Sequence, residues 1–210
     1  MHLKRNEVPK IWPVERKGTK FVAMPKHGFK NSIPLVVAIR DILNFAETRK
    51  EAEKILDSGK VKVNGLVIKE DSYPLTLFDN MSLENKSYKL VLNNKKYGLE
   101  GINSKDSEKK IVKVIGKCLV KDKKTQINLS DGRNYISKDK ISVNDSVIVD
   151  MKEKKIVDIL QLKKGSQVLF IKGKHLGHKG LIENIEDKNA VIKIEDKKIN
   201  ANVESVMVIK

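Results

Sequence analysis

Thr48-Arg49-Lys50-Glu51-Ala52-Glu53-Lys54-Ile55-Leu56-Asp57-Ser58-Gly59-Lys60-Val61-Lys62-Val63-Asn64-Gly65 decides the fold. Thr48 followed by Glu51 has the spacing of a capping box, in which a hydroxyl and a carboxylate satisfy free backbone N–H groups at a helix start. Ala52, Ile55 and Leu56 then supply one buried face at helical spacing. Gly59 suits the left-handed residue just past a helix end. From Lys60 the period changes to two, so Val61 and Val63 face a core while Lys60 and Lys62 face solvent. Asn64-Gly65 is a two-residue hairpin turn, and Leu66-Val67-Ile68 returns. Arg49 and Lys50 in the first helical turn, Lys54 one turn on, and Lys60 and Lys62 on the hairpin can line one groove, as a phosphate backbone requires. A solvated charged helix is the plainer account, because Glu51, Glu53 and Asp57 dilute the charge.

Upstream, Leu35, Ile39, Ile42, Leu43 and Ala46 recur at i, i+4, i+7, i+8 and i+11, one face of a further helix. Residues 35–100 are therefore expected to form a small αα-hairpin followed by strands, with a net charge of only +1. Residues 1–34 differ: they hold four of the five prolines and eight Lys/Arg against two acids, with no hydrophobic period. Such a stretch cannot build its own core and is expected to be an extended basic arm. Its cations are Lys4, Arg5, Lys10, Arg16, Lys17, Lys20, Lys26 and Lys30. Trp12, Phe21 and Phe29 lie among them, where rings can pack on a partner or stack on bases. That interleaving favours an ordered arm over a solubilising tail.

Downstream, residues 101–162 read as a small β domain, with strands over 111–120, 125–129, 147–151 and 156–160 separated by polar turns. Arg133, in the turn at 130–134, is a candidate RNA contact, and Cys118 is expected to be a buried small hydrophobe. Residues 163–210 predict an SH3-like barrel with strands over 168–171, 181–185, 191–194 and 206–209. Between the first two lie Gly173, Gly177 and Gly180, glycines at intervals of four and three. Glycine permits a positive φ and close backbone approach to a ligand, and Lys174 and Lys179 set charge beside that loop.

The 210 residues carry 43 Lys/Arg against 27 Asp/Glu, a formal net charge of +16. A field of that size gathers polyanions. Nucleic acid is the expected partner. A membrane surface would need an amphipathic helix or an apolar anchor, and neither is visible. Only five of the cations are Arg; Lys, a flexible point charge, suits phosphate contact better than bidentate base readout. A lone cysteine gives no disulfide framework and suggests an intracellular compartment. No Gly-x-Ser-x-Gly or Gly-Lys-Ser/Thr motif is present, so no catalytic residue, cofactor or small-molecule substrate is expected. His175 and His178 stand three apart without a cysteine cluster, a weak pattern for zinc, and no metal is expected.

Several of these motifs carry a family resemblance. The helix-hairpin resembles the small RNA-binding fold first known from bacterial ribosomal protein four. The segment from Gly165 through Gly180 to Ile182 resembles the KOW motif, which binds RNA or protein in ribosomal proteins and transcription elongation factors. Their order resembles the e-type ribosomal protein four (S4e) family of archaeal and eukaryotic small subunits. So do His2-Leu3-Lys4-Arg5 with Pro9-Lys10 and Trp12, Ile33-Pro34-Leu35 with Arg40, Tyr73-Pro74, Phe78-Asp79, and Asn128-Leu129 with Asp131-Gly132-Arg133-Asn134. Where that family usually has Gly, this chain has Thr76; its Asp-Gly hairpin is Asn64-Gly65 here, read as an equivalent turn; Ile68 stands where a basic residue is usual. The resemblance implies an α+β, multidomain chain: arm (1–34), S4-like domain (35–100), central β domain (101–162) and KOW barrel (163–210). It implies a non-enzymatic, cytoplasmic constituent of the small ribosomal subunit, with ribosomal RNA and neighbouring ribosomal proteins as partners. The competing expectations are a KOW-containing transcription or RNA-processing factor off the ribosome, and an RNA-modifying enzyme.

Overall fold

A computed structural model describes residues 3–28, 31–84, 86–103, 108–120, 124–186, 188–194 and 197–210. His2, Phe29 and Lys30 lie outside the described residues. The chain divides into two compact units, residues 1–108 and 109–210, and both are mostly strand.

In the first unit, β1 (Leu3–Lys4) pairs antiparallel with β2 (Phe21–Val22). β3 (Ser32–Pro34) leads into α1 (Leu35–Val37), a π-helical turn at Ala38–Ile42, and α2 (Arg49–Asp57). β4 (Val61–Val63), β5 (Leu66–Val67), β6 (Pro74–Thr76), β7 (Asn80–Leu83), β8 (Lys86–Asn93) and β9 (Lys96–Ile102) follow. β3 pairs with β6, and the other five strands form a sheet in the order β5-β4-β7-β8-β9. The helix expected over 35–46 is shorter. After one α turn it widens, Leu43 N–H donates to Ala38 O (3.1 Å), and Asn44 turns left-handed (φ 54°). Leu43 and Ala46 therefore lie beyond its end.

α2 starts and stops as its local sequence dictates. Thr48 Oγ1 accepts from Glu51 N–H (3.3 Å), and the Glu51 carboxylate accepts from Glu47 N–H (2.9 Å) and the Thr48 hydroxyl (3.0 Å). Gly59 closes the helix at φ 71°. The arm is not free of this unit. Trp12 is 1% exposed, and Tyr97 N–H of β9 donates to Ile11 O (2.9 Å). Trp12 is thus a core side chain rather than a platform for a partner: one large ring supplies the apolar anchor that the arm's short-range pattern lacks.

Asn64-Gly65 forms the β4–β5 turn, with both residues at positive φ, but Asn64 does more than turn the chain. Its side chain is buried; Nδ2 donates to Asp79 Oδ1 (2.6 Å) and Oδ1 accepts from Asn80 N–H (3.1 Å). Thr76 gives Asp79 Oδ2 two more donors, its N–H (2.6 Å) and hydroxyl (2.8 Å). An Asp at position 64 would set a second carboxylate against the first. The turn forms as read, and the Asn64 amide adds a donor to Asp79 that an ionised acid would lack.

In the second unit, β10 (Lys109–Leu119), β11 (Thr125–Leu129), β12 (Asn134–Ser137), β13 (Ser146–Asp150) and β14 (Lys155–Leu160) form a sheet in the order β12-β11-β10-β13-β14. β10 serves two neighbours: its first half pairs with β13, and from Val114 it pairs with β11 across a bulge before Gly116. Val112, Val114, Ile127, Leu129 and Val147 fill the core. Cys118 is exposed, which corrects its expected burial. It opposes Gln126, whereas Lys117 opposes the buried Ile127, so Cys118 sits in an outward-facing row.

β15 (Gln167–Phe170), β16 (Lys179–Glu186), β17 (Asn189–Ile194), β18 (Lys197–Asn202) and β19 (Val206–Val208) form a second sheet in the order β18-β17-β16-β15-β19. Val168, Phe170, Ile182, Ile192 and Val206 make its core. The two sheets are joined by buried polar groups. Lys113, 4% exposed, donates through Nζ to the carbonyls of Val203 (2.8 Å), Glu204 (3.1 Å) and Val206 (2.7 Å). The buried Asp145 accepts from Ser142 N–H (2.9 Å) and Leu162 N–H (2.9 Å).

Candidate nucleic-acid interface

The arm's cations divide by what they touch. Arg5 is committed to the fold: its guanidinium donates to Thr19 O (2.6 Å), Glu15 O (2.5 Å) and Thr19 Oγ1 (2.9 Å). It lies so close to Gly18 (φ 133°) that a Cβ there would stand 3.1 Å from its Cζ. Lys26 is paired with Glu70 (3.0 Å), and its hydrogen bond holds that carboxyl below its ordinary range. Lys20 lies 5.5 Å from the centre of the Phe21 ring. Lys4, Lys10, Arg16 and Lys17 are exposed.

Arg5, Lys10 and Arg16 meet around one cavity of about 430 Å³, with Lys96 of β9 as a fourth cation and Glu15 as the sole acid. The sequence alone does not single out Lys96. Its signal is the hairpin at Asn94-Lys95, both at positive φ, between the apolar positions Leu90, Leu92 and Tyr97. A concave surface with four cations and one carboxylate can seat a phosphate group or a short run of backbone.

The cations of the helix-hairpin do not all converge. Arg49 is held by Glu53 (3.0 Å) and Asp71 (2.6 Å), and Lys60 by Glu84 (2.9 Å). Lys50 and Lys62 are exposed. Lys54 and Lys60 share a groove with Lys86, another cation missed from the sequence, while Arg49, Lys50 and Lys62 do not line it.

In the second unit, Arg133 is one-third exposed and lies 4.0 Å from Asp131. Asp131 also receives the buried Lys110 (3.1 Å) and Arg133 N–H (3.1 Å). With Gly132 at φ 85°, the Asp-Gly-Arg turn is a structural knot. Lys174 is exposed in the β15–β16 loop, and Lys179 is exposed at the start of β16. Gly173 and Gly177 have positive φ. Gly180 serves packing: a Cβ there would meet Ile192 Cγ2 at 2.6 Å and Lys193 O at 2.8 Å. His175 packs edge-on against the core ring of Phe170, 5.9 Å between centres. Among the described residues, no three His, Cys, Asp or Glu side chains gather as a metal site would need, and no helix is long and apolar enough to cross a membrane.

Residues 34–80 match the S4 domain model, and residues 84–156 match the ribosomal family S4e model. The chain is 38% identical over 192 residues to small ribosomal subunit protein eS4 of Methanosphaera stadtmanae, covering 88% of this chain and 79% of the relative. It is 34% identical to the eS4 protein of Archaeoglobus fulgidus, over 88% of this chain and 80% of that one. The crystal structure of the 30S ribosomal protein S4e from Thermoplasma acidophilum superposes with a TM-score of 0.75 at 27% identity, covering 85% of this chain and 95% of that one. A likeness of this extent, carried by sequence and fold together, establishes that the chain belongs to the eS4 (S4e) family of small-subunit ribosomal proteins.

Proposed function

We propose that this protein is a non-enzymatic structural constituent of the small ribosomal subunit, binding ribosomal RNA and touching neighbouring ribosomal proteins. Its eS4 relatives, matched over 88% of the chain, carry that reading, and the cationic cavity between arm and β9 gives it a physical means. Lys4, Lys10, Arg16, Lys17, Lys20, Lys50, Lys62, Lys174 and Lys179 are the exposed cations assigned to phosphate; Lys30 is assigned from sequence alone. Arg5, Lys26, Arg49, Lys60 and Arg133 take a secondary part, because each is already engaged within the protein. Helix and hairpin act as an S4-like module, and the β15–β19 sheet acts as an SH3-like KOW barrel with Lys174 at its loop. The four-part division into arm, S4-like domain, central β domain and KOW barrel describes the roles within the two compact units.

Co-sedimentation tests this. The protein should remain with small subunits through a high-salt wash, and its affinity for isolated small-subunit RNA should fall steeply with salt as counterions are released. Release in the wash, with capture by a polymerase instead, would favour a factor acting off the ribosome.

A further inference from the structure

The groove beside α2 has a chemistry of its own. Its floor is apolar: Phe45 is 44% exposed, Ile55 is half-buried on α2, and Leu83 closes the end of β7. Phe45 is fixed from two sides, its N–H donating to Ile39 O (3.0 Å) and its ring meeting Tyr88 edge-on at 6.4 Å. Its lip carries Lys54, Lys60 and Lys86 with Glu84. Glu84 answers Lys60, Lys54 acts through space on the Glu51 carboxylate one turn back without a close ion pair, and among the described residues Lys86 forms no ion pair. The space is about 520 Å³, room for a nucleotide but not for a duplex.

We infer that this groove holds one unstacked base of single-stranded RNA, its ring against Phe45 and its flanking phosphates on Lys54 and Lys86. An apolar floor with an ammonium lip suits a ligand that is planar and apolar at one end and anionic at the other. Every base offers such a π-face, so an aromatic platform takes it with little regard to sequence. Lysine, as a point charge, meets phosphate without demanding bidentate geometry. A stretch of RNA that stays paired cannot enter. The groove therefore selects a bulged or looped nucleotide, a finer requirement than phosphate neutralisation. It rests on the RNA-binding reading given above.

The test uses the full chain and a hexanucleotide of uridines carrying one 5-iodouridine, beside the same strand with an abasic site in its place. Photo-crosslinking followed by peptide mapping should mark the segment holding Phe45. The abasic strand should bind about tenfold more weakly, the loss expected of one base–aromatic stack. Phe45→Leu should weaken the intact strand by a similar factor while leaving the abasic strand unchanged, and Phe45→Trp should restore it. Lys54→Ala with Lys86→Ala should weaken both strands, and it perturbs no packed side chain. Equal affinity for the two strands, or an unaltered Phe45→Leu protein, would overturn the base site while leaving small-subunit RNA binding intact. Should Phe45→Leu instead lose a protein neighbour on the subunit with RNA affinity unchanged, the groove belongs to protein and the inference fails. Loss of binding to the hexanucleotide and to small-subunit RNA alike by the wild type would remove the broader reading as well.

Discussion

Each unit buries ionisable side chains, and two of them, Asp79 in the first and Lys113 in the second, are held differently. In residues 1–108, Asp79 receives its donors from Asn64, fifteen residues back, and Thr76, three residues back. In residues 109–210, Lys113 gives its protons to carbonyls 90 to 93 residues away. Leaving a buried ion without polar partners costs several kcal/mol, so each arrangement fixes whatever carries the partners. For Asp79 that is a local turn, and the result is a hairpin register. For Lys113 it is the segment from the end of β18 into the first residue of β19, and the result is the attachment of one sheet to another. Where the partners of a buried charge lie in sequence decides whether it organises a motif or joins two layers.

The comparison breaks most readily at Lys113. Lys113→Met removes the ammonium donor from three carbonyls, of which Val203 O keeps a second donor in Val206 N–H, and should cost about 3 kcal/mol, read as a lower midpoint in denaturant unfolding. Burial, with the neighbouring Lys172 adding to it against Glu204, pushes the Lys113 pKa down to about 8. Between that value and the roughly 10.4 of an unfolded lysine, the folded chain releases a proton that the unfolded chain retains. Wild-type stability should therefore rise from pH 8 towards pH 10, and that gain fades as pH falls back through 8. Lys113→Met should be flat over this range in urea titrations.

Asn64→Asp should cost about 2 kcal/mol at pH 7, since two buried carboxylates would share one site. Melting curves should show the deficit shrinking as pH falls into the carboxylate range, where one of the pair is protonated. The turn tolerates either residue at positive φ, so the change isolates the side chain. Gly180→Ala sharpens the contrast from the packing side: it should cost between about 1 and 3 kcal/mol, in the β15–β19 sheet, without altering the pH profile of Lys113. The smallest effect on stability belongs to Lys10→Ala and Arg16→Ala, which should leave melting unchanged within about 0.5 kcal/mol. Each should lower the salt slope of RNA binding by about one.

What was legible in the sequence was local. Thr48, Glu51 and Gly59 announce α2 because caps act within a turn of the helix, and Val61 with Val63 sets the hairpin face by period alone. β11 runs over the span its sequence predicts. β18 is not evident from sequence: in Lys197-Lys198-Ile199-Asn200-Ala201-Asn202 the apolar alternation is only two residues long, Ile199 and Ala201, and the strand forms against β17 as an edge. The basic residues were all visible, but not which of them are engaged. Nothing near Arg5 indicates that Glu15 and Thr19 fold back on it, and nothing near Lys113 points to carbonyls on the far side of β18. Ion pairs and hydrogen bonds of long sequence separation are products of topology. A composition count therefore overstates how many cations remain for a ligand.

Synthesis order gives the Lys113 link a further meaning. The chain is made from its amino end at roughly 5–20 residues per second. Lys113 is therefore in place some 90 residues before Val203 and Val206 supply its acceptors, an interval of about 5 to 18 s. During that time the β10–β14 sheet can form its own apolar core but must keep an ammonium group in water at its border. The nascent sheet is in effect a half-finished joint, whose exposed cation is covered only when β19 arrives. A pause or truncation before Val203 would leave that ammonium without its carbonyl acceptors, and the timing of translation thus becomes part of how this unit closes.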